Sequence, residues 1–211
     1  MPSICPTVTA FDADEYRTQL DRLTAFAGRV HIDLMDGHFA PTTSPGLDRI
    51  WWPPTLTADI HLMYQSPQDC LQALIDLKPS LVIIHVEAQG DHGQFADALH
   101  AHGIKAGLAL LADTPVATVE TVLPQFDHAL IFSGHLGFHG GAADLTLLEK
   151  APAIREIAPT IEIGWDGGVN DRNLQQLLDG GIDVLNVGGY IQKATNPSDA
   201  YAKLNEEANR S

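Results

Sequence analysis

The chain has 211 residues, 45% of them hydrophobic, a mean hydropathy of −0.02 and a formal net charge of −15. This composition is typical of a globular protein, and the negative charge argues against nucleic acid as a partner because its phosphates would be repelled. Only Cys5 and Cys70 occur, so the sequence indicates neither a disulfide framework nor a thiolate zinc site. We find no signal peptide and no apolar run near the roughly 18 residues of a membrane span, and therefore expect a cytoplasmic protein without membrane association.

Short aliphatic segments alternate with longer amphipathic segments along the chain. Gly28 is placed to end the first helix, Pro53 and Pro54 keep the second short, and Pro115 suits a first helical turn. The predicted order is strand 3–8, helix 14–27, strand 30–35, short helix 47–52, strand 57–63, helix 67–77, strand 81–86, helix 94–102, strand 104–110, helix 115–123, strand 129–132, helix 145–157, strand 160–164, helix 170–179, strand 183–187 and helix 197–208.

The alternation predicts a fold of class α/β with a parallel sheet. Eight strand and helix units without a linker or low-complexity segment indicate a (β/α)₈ TIM barrel, with residues 1–211 forming a single domain. An open, doubly wound sheet is the competing architecture. We favour the barrel because polar residues follow the ends of several different strands, where such barrels carry their chemistry.

Four polar residues at predicted strand ends form a candidate metal site. Residues two apart on a strand share a face, so His31 and Asp33 project together, and His61 and Asp166 occur in similar settings. Nitrogen and oxygen donors without thiolate suit one divalent ion: zinc, iron(II), manganese or cobalt. The alternative is that each residue is only a hydrogen-bonded polar group at the end of a strand.

The two carboxylates also suit proton transfer. Asp33 and Asp166 on opposite sides of a substrate carbon are candidate catalytic residues, because one could remove a proton beside a carbonyl while the other returns it.

Two methionines share a strand face with the candidate histidine ligands. Met35 lies on the same face as His31, and Met63 on the same face as His61, where both would form an apolar floor of the substrate pocket. Methionine is also common as simple core filler.

Glycines on the last three predicted loops form a candidate phosphate site, since glycine lets backbone N–H groups approach an anion. The alternative is that these glycines only permit tight turns. Among the other histidines, His92, His100 and His102 are expected on a solvated helix and His128 before a strand. For His38, His85, His135 and His139, near the rim, contact with substrate is the alternative and local hydrogen bonds are the preferred interpretation. The candidate phosphate-binding residues are Gly137, Phe138, Gly140, Gly141, Gly167, Gly168, Gly188 and Gly189.

At these motifs the chain resembles the ribulose-phosphate 3-epimerase family of metal-dependent (β/α)₈ enzymes. The matching segments are His-Ile-Asp-Leu-Met-Asp-Gly-His-Phe-Ala-Pro at 31–41, Asp-Ile-His-Leu-Met at 59–63 and Asp-Gly-Gly-Val at 166–169. The resemblance implies that His31, Asp33, His61 and Asp166 bind the metal and that the two aspartates are the acid–base pair. It also implies interconversion of ribulose 5-phosphate and xylulose 5-phosphate at C3. We further expect Thr7 in the substrate pocket and a homo-oligomer.

The sequence departs from the family pattern around the expected substrate. The family's Pro-Ser-x-Leu-Ser is Pro-Thr-Val-Thr-Ala at 6–10, which replaces a hydroxyl expected near the substrate by the methyl group of Ala10. Its Asn-Pro-Gly-Phe-Gly-Gly-Gln loop is altered at 135–141, a third methionine is Phe132, and a Gly-Ser pair is Gly188-Gly189. Two alternatives therefore stay open: epimerisation of another keto-sugar phosphate, such as a six-carbon ketose 6-phosphate, and a paralogue that binds sugar phosphate or a protein without catalysis.

Overall fold

A computed structural model describes residues 2–210 and contains a closed barrel of eight parallel strands in the order β1 to β8. The ring is completed where β1 pairs with β8, with Cys5 beside Asn186. The predicted (β/α)₈ barrel is confirmed, and the open sheet is excluded because a closed ring has no edge strands. The strands are β1 (Ser3–Thr9), β2 (Arg29–Met35), β3 (Thr57–Met63), β4 (Leu81–His85), β5 (Lys105–Leu110), β6 (His128–Phe132), β7 (Glu162–Asp166) and β8 (Val184–Val187).

The helices pack their apolar faces against the outside of the barrel. In the first of them, Asp12 caps the N-terminus by accepting from the backbone N–H groups of Asp14 and Glu15. The α-helices are α1 (Ala13–Leu23), α2 (Leu71–Leu77), α3 (His92–His100), α4 (Lys150–Ile157), α5 (Leu174–Asp179), α6 (Gly189–Gln192) and α7 (Pro197–Ala208). Short 3₁₀ segments lie at Leu47–Arg49, Pro67–Cys70, Val116–Val119, Leu123–Gln125 and Leu145–Glu149. None of the helices in residues 2–210 has the length and apolar character needed to cross a bilayer.

Several predicted boundaries were wrong. The predicted helix 115–123 is instead 3₁₀ structure, because its valines and threonines disfavour an α-helix and Pro124 cannot continue one. The strand predicted at 160–164 lies at Glu162–Asp166, since Ile161 closes a turn onto the carbonyl of Ala158. The first helix ends at Leu23 rather than 27, α5 begins four residues later than predicted, and the short α6 was not predicted.

The inside of the barrel is layered. At the amino ends of the strands, Arg29 forms ion pairs with Asp59 and Glu162, and His128 Nδ1 lies 2.8 Å from Glu162 Oε2. Above this ionic layer is a small apolar cluster of Leu81, Ile83, Ala109 and Leu130. The polar residues singled out from the sequence lie above the apolar cluster, toward the carboxyl ends.

Candidate metal centre and pocket

The four predicted metal ligands converge inside the barrel. His31 and Asp33 are on β2, His61 on β3 is in register with Asp33, and Asp166 ends β7. All four are buried, and one ligand atom from each lies within 4.8 Å of the others. Because these donors come from three separate strands, closure of the barrel is what brings them together.

The distances between ligand atoms fit a single shared ion. Asp33 Oδ1 lies 2.9 Å from His61 Nδ1 and 3.2 Å from His31 Nε2. Asp166 Oδ2 lies 3.8 Å from His31 Nε2 and 3.9 Å from His61 Nδ1. A tetrahedral ion with ligands at 2.0–2.2 Å separates its ligand atoms by roughly 3.3–3.6 Å. The group can therefore hold one metal ion.

His31 gives an independent sign that a partner belongs in this group. Its side chain is fully buried, and among residues 2–210 neither ring nitrogen has a partner in hydrogen-bonding geometry, although Nε2 lies 3.2 Å from Asp33 Oδ1. A buried polar group without a partner is costly, and a coordinated cation would remove that cost for the nitrogen that faces the carboxylates. Asp33 is held from its other side, because the Thr9 hydroxyl donates to Oδ2 over 2.6 Å.

A chain of side chains behind His61 favours one form of its imidazole. His61 Nε2 lies 2.9 Å from His85 Nε2, and His85 Nδ1 lies 3.4 Å from Glu87 Oε2. Burial alone would raise the pKa of Glu87, but contacts from His85, Thr114 and the backbone of Leu111 outweigh burial and lower it to about 2. With a proton on His85 Nδ1, the side that faces Glu87, His85 Nε2 would accept from His61 Nε2–H. His61 Nδ1, which lies 2.9 Å from Asp33 Oδ1, would then present a lone pair to a metal ion instead of a proton to that carboxylate.

The electrostatics of the two aspartates also fit a bound cation. Burial would raise the pKa of Asp33, but the imidazoles of His31 and His61 outweigh it and hold that pKa below its usual range. Burial and the negative charge of Asp33 raise the pKa of Asp166 to about 7. Two carboxylates in a dry site repel each other unless a cation lies between them. A divalent ion would supply that charge.

The two predicted methionines lie beside this centre. Met35 and Met63 are in register on β2 and β3, and both are buried in a cluster with Ala40. Met63 lines the pocket described next, whereas Met35 does not. The Sδ of Met35 lies 3.2 Å from the Thr42 hydroxyl, which donates to the carbonyl of Gly137. Phe132 also lines the pocket, at the position of the expected third methionine.

A cavity of about 640 Å³ opens above the metal group, at the carboxyl ends of the strands. Asp33, Asp166 and Thr7 reach its wall, while His31 and His61 are buried beneath it. All eight predicted phosphate-binding residues also line this cavity: Gly137, Phe138, Gly140, Gly141, Gly167, Gly168, Gly188 and Gly189.

Two of these glycines are also required by loop packing. Gly167 and Gly168 have φ angles of +116° and +70°, which other residues rarely adopt. A Cβ on Gly167 would overlap Gly134 N, and one on Gly168 would overlap Ala143 N. The loop after β7 is therefore packed closely against the loop after β6. Gly167 and Gly168 thus permit a tight turn and also line the cavity.

Sequence reasoning missed several residues of the cavity wall. Asn186 on β8 is 2% exposed and lines the cavity, and the signal was a lone amide in the aliphatic strand Val-Leu-Asn-Val. Arg22 and Lys193 bring positive charge to the wall in a chain of net charge −15. Arg22 donates to the carbonyl of Ala194 over 3.0 Å. These residues lie on α1, on β8 and just after α6, far apart in the sequence.

Other expectations about single residues have mixed outcomes. Ala10 is buried in the outer core and is absent from the cavity wall, so the expectation that this position faces substrate was wrong. His135 and His139 do line the cavity. For His85, local hydrogen bonds were preferred over contact with substrate, and its Nε2 lies 2.9 Å from Nε2 of the metal-ligand candidate His61. His128 is the first residue of β6 rather than a residue before it.

The fold and the position of the cavity define a (β/α)₈-barrel protein with its candidate metal group and cavity at the carboxyl ends of the strands. A 3-hexulose-6-phosphate synthase structure shares this fold, with a TM-score of 0.70, 18% identity and coverage of 97% of this chain and 98% of the other. The chain belongs to the ribulose-phosphate 3-epimerase family, whose model matches residues 3–192.

Relatives agree with this assignment. Ribulose-phosphate 3-epimerase from Mycobacterium bovis is 30% identical, over 98% of this chain and 93% of its own length. The enzyme of the same name from Treponema pallidum is also 30% identical, over 92% of each chain. Family membership places the chain among isomerases that act on carbohydrates.

Proposed function

We propose that the protein is a divalent-metal ketose-phosphate 3-epimerase that interconverts D-ribulose 5-phosphate and D-xylulose 5-phosphate. The observation that carries the proposal is the convergence of His31, Asp33, His61 and Asp166, with ligand atoms within 4.8 Å of one another. Both carboxylates reach the cavity wall, where a bound sugar would lie.

The two aspartates move the proton. One carboxylate takes the proton from C3, the electron pair of the broken C–H bond forms the C2–C3 double bond, and the ketone oxygen gains negative charge. The other aspartate then gives its proton to the opposite face of C3, and the carbonyl re-forms with C3 inverted. Asp33 and Asp166 exchange these roles when the reaction runs in reverse.

His31, Asp33, His61 and Asp166 would hold the ion. When bound, a divalent ion supplies positive charge that stabilises the oxygen on which negative charge develops. Nitrogen and oxygen donors suit zinc, iron(II), manganese or cobalt, and do not choose among them. The buried Met35 and Met63 would form an apolar floor that keeps water from this region.

The glycine loops would bind the phosphate group. Eight glycine-loop residues line the cavity, and glycine backbone lets N–H groups approach an anion there. The N–H of Phe138 is already used, because it donates to the carbonyl of His135 over 3.0 Å. Lys193 adds a positive charge on the same wall, because its Nζ lies 4.0 Å from the point that a Cβ of Gly140 would occupy. The Thr7 Cβ lies 3.7 Å from the point that a Cβ of Gly188 would occupy. The Thr7 hydroxyl has no hydrogen-bond partner within the described chain, so it is free to contact the sugar.

A second candidate is the same reaction on a different keto-sugar phosphate. The observation in its favour is that departures from the family pattern line the cavity, namely Phe132 and several residues of 135–141. Because the metal group is complete, these changes bear on which sugar fits rather than on the reaction type.

The direct test is turnover by purified protein reconstituted with zinc, iron(II), manganese or cobalt. We expect conversion of D-ribulose 5-phosphate to D-xylulose 5-phosphate with at least one metal, faster than conversion of a six-carbon ketose 6-phosphate. The reverse ranking would favour the second candidate.

Asp33→Asn and Asp166→Asn supply the controls. Each should reduce turnover by about 10²-fold or more, because each removes a proton carrier. Background turnover with all four metals by protein that is folded would contradict the proposal, and full activity in both variants would contradict the roles of the aspartates.

A further inference from the structure

Asn186 is a buried amide for which the proposed reaction has so far no use. It is 2% exposed, and neither its Oδ1 nor its Nδ2 has a hydrogen-bond partner within the described chain. Leaving both a donor and an acceptor unsatisfied is costly, so such a side chain is retained where a ligand or water satisfies it. Asn186 lines the cavity, which makes a ligand in the cavity able to reach it.

The strand register places Asn186 between the two ends of the proposed substrate site. Across the sheet, Asn186 is in register with Asp166, the candidate acid–base residue of β7. Along its own chain, Asn186 is followed two residues later by Gly188, which belongs to the glycine loop that lines the same cavity. The amide therefore lies between the proton-transfer centre and the proposed phosphate site.

The chemistry of the substrate identifies the atom that occupies this place. In a ketopentose 5-phosphate, C3 undergoes proton transfer and C5 carries the phosphate, so C4 and its hydroxyl connect the two. A hydroxyl can donate to Oδ1 and accept from Nδ2, which matches the two unsatisfied atoms of the amide. D-Ribulose 5-phosphate and D-xylulose 5-phosphate have the same configuration at C4, so one contact serves both.

We propose that Asn186 is a specificity-determining residue that binds the C4 hydroxyl of the ketose phosphate. The proposal rests on the proposed function for the orientation of the sugar. It predicts discrimination against sugars that lack this hydroxyl, because they would leave the buried amide unpaired.

The test compares D-ribulose 5-phosphate with its 4-deoxy analogue in wild-type protein and in Asn186→Leu, which keeps the branched shape without hydrogen-bonding atoms. Dissociation constants and kcat/KM are both measured. Wild-type protein should favour the hydroxylated sugar by about 10- to 100-fold, and Asn186→Leu should treat the two sugars alike. Asn186→Thr, which restores a hydroxyl, should recover part of the preference.

Matched controls separate this contact from a general effect on folding. Asn205→Leu removes a partly buried amide on α7 that donates to the carbonyl of Tyr201, and it should leave the preference unchanged. Thermal unfolding shows whether each variant is folded, and Asn186→Thr replaces Asn186→Leu if the latter is not.

The outcomes are distinguishable from those that test the reaction. Binding with the expected preference but without turnover would overturn the epimerase proposal and support the role of Asn186. Turnover with an undiminished preference in Asn186→Leu would overturn the role of Asn186, since the amide would then be satisfied by water alone. No binding of either sugar to wild-type protein would overturn both.

Discussion

At the scale of single residues, the orientation of His61 depends on groups behind it. His85 contacts His61 Nε2 at 2.9 Å, and Glu87 lies at the far side of His85. Groups that fix the proton position of a metal-binding histidine commonly change metal affinity by 10- to 100-fold when they are removed. His85 is therefore a positioning residue for the metal centre.

We predict that His85→Leu lowers metal affinity by about 10- to 100-fold, because His61 Nε2–H loses its acceptor and the imidazole its orientation. Competition with a coloured chelator measures the affinity without reference to turnover. His85→Gln, which can still accept the hydrogen bond, should lose less. His100→Gln is the control, because His100 pairs with the surface carboxylate of Asp127. Equal affinity in wild-type protein and His85→Leu would contradict this role.

At this scale, the sequence predicted the positions of functional side chains that are two residues apart on one strand. His31 and Asp33 could be placed on one face from their spacing alone, and the barrel then brought His61 and Asp166 to them. No role could be assigned to Asn186 from the sequence. Its proposed role depends on the absence of hydrogen-bond partners for its amide among the described residues, which only the three-dimensional structure shows. His85 was underrated for the same reason: its partner is on a neighbouring strand.

At the scale of elements, the strands were predicted more accurately than the connections. Buried strands are recognisable as aliphatic runs such as residues 81–84, because both faces of such a strand are covered by other parts of the protein. The connection from β5 to β6 lacks such a constraint. There, Pro115 in a suitable first turn favoured an α-helix, but the β-branched residues and Pro124 favour the 3₁₀ structure that is observed.

The contact between the loops after β6 and β7 gives a prediction at this scale. Gly168→Ala should raise the KM for the sugar phosphate by about tenfold or more, because its Cβ would push against Ala143 N and displace the loop over the cavity. Metal content should be unchanged, which metal analysis of the purified variant would check.

Gly103→Ala is the matched control for this change. Gly103 has a similar φ of +72°, but no atom of the described chain lies within 4 Å of the point that its Cβ would occupy. The substitution tests backbone strain alone, which costs about 1–2 kcal/mol. If Gly103→Ala raised KM as much as Gly168→Ala, loop displacement would not be the cause.

At the scale of the whole molecule, the barrel separates a structural end from the candidate active end. Arg29 occupies the amino end, with Nε 2.6 Å from Asp59 Oδ2 and Nη2 2.9 Å from Glu162 Oε2. The Asp59 side chain is 3% exposed and Glu162 36%, so the pair with Asp59 is the buried one. The apolar cluster around Ile83 lies between this layer and the metal group.

Arg29→Met should destabilise the protein by about 3–5 kcal/mol, because it leaves the buried Asp59 carboxylate without its cation. Urea unfolding of the metal-free protein measures the free energy of unfolding. Under conditions where the variant is folded, its KM should match that of wild-type protein, since the change is at the opposite end of the barrel. A shift in KM without a loss of stability would show that the two ends are not separate.

The closure of the barrel was predictable from the repeated strand and helix units, and family membership agrees with the motifs at residues 31–41, 59–63 and 166–169. The expected homo-oligomer and cytoplasmic location stay predictions, because neither follows from the fold of one chain. Light scattering coupled to size-exclusion chromatography would determine the oligomeric state.

Exchange of the C3 hydrogen with solvent tests the two-carboxylate reaction most directly. Metal-loaded protein would be incubated with D-ribulose 5-phosphate in deuterium oxide, and C3 followed by NMR. We predict deuterium at C3 of both epimers, lost in Asp33→Asn and Asp166→Asn. Formation of D-xylulose 5-phosphate with its original hydrogen, or no change at C3 with any of the four metals, would contradict it.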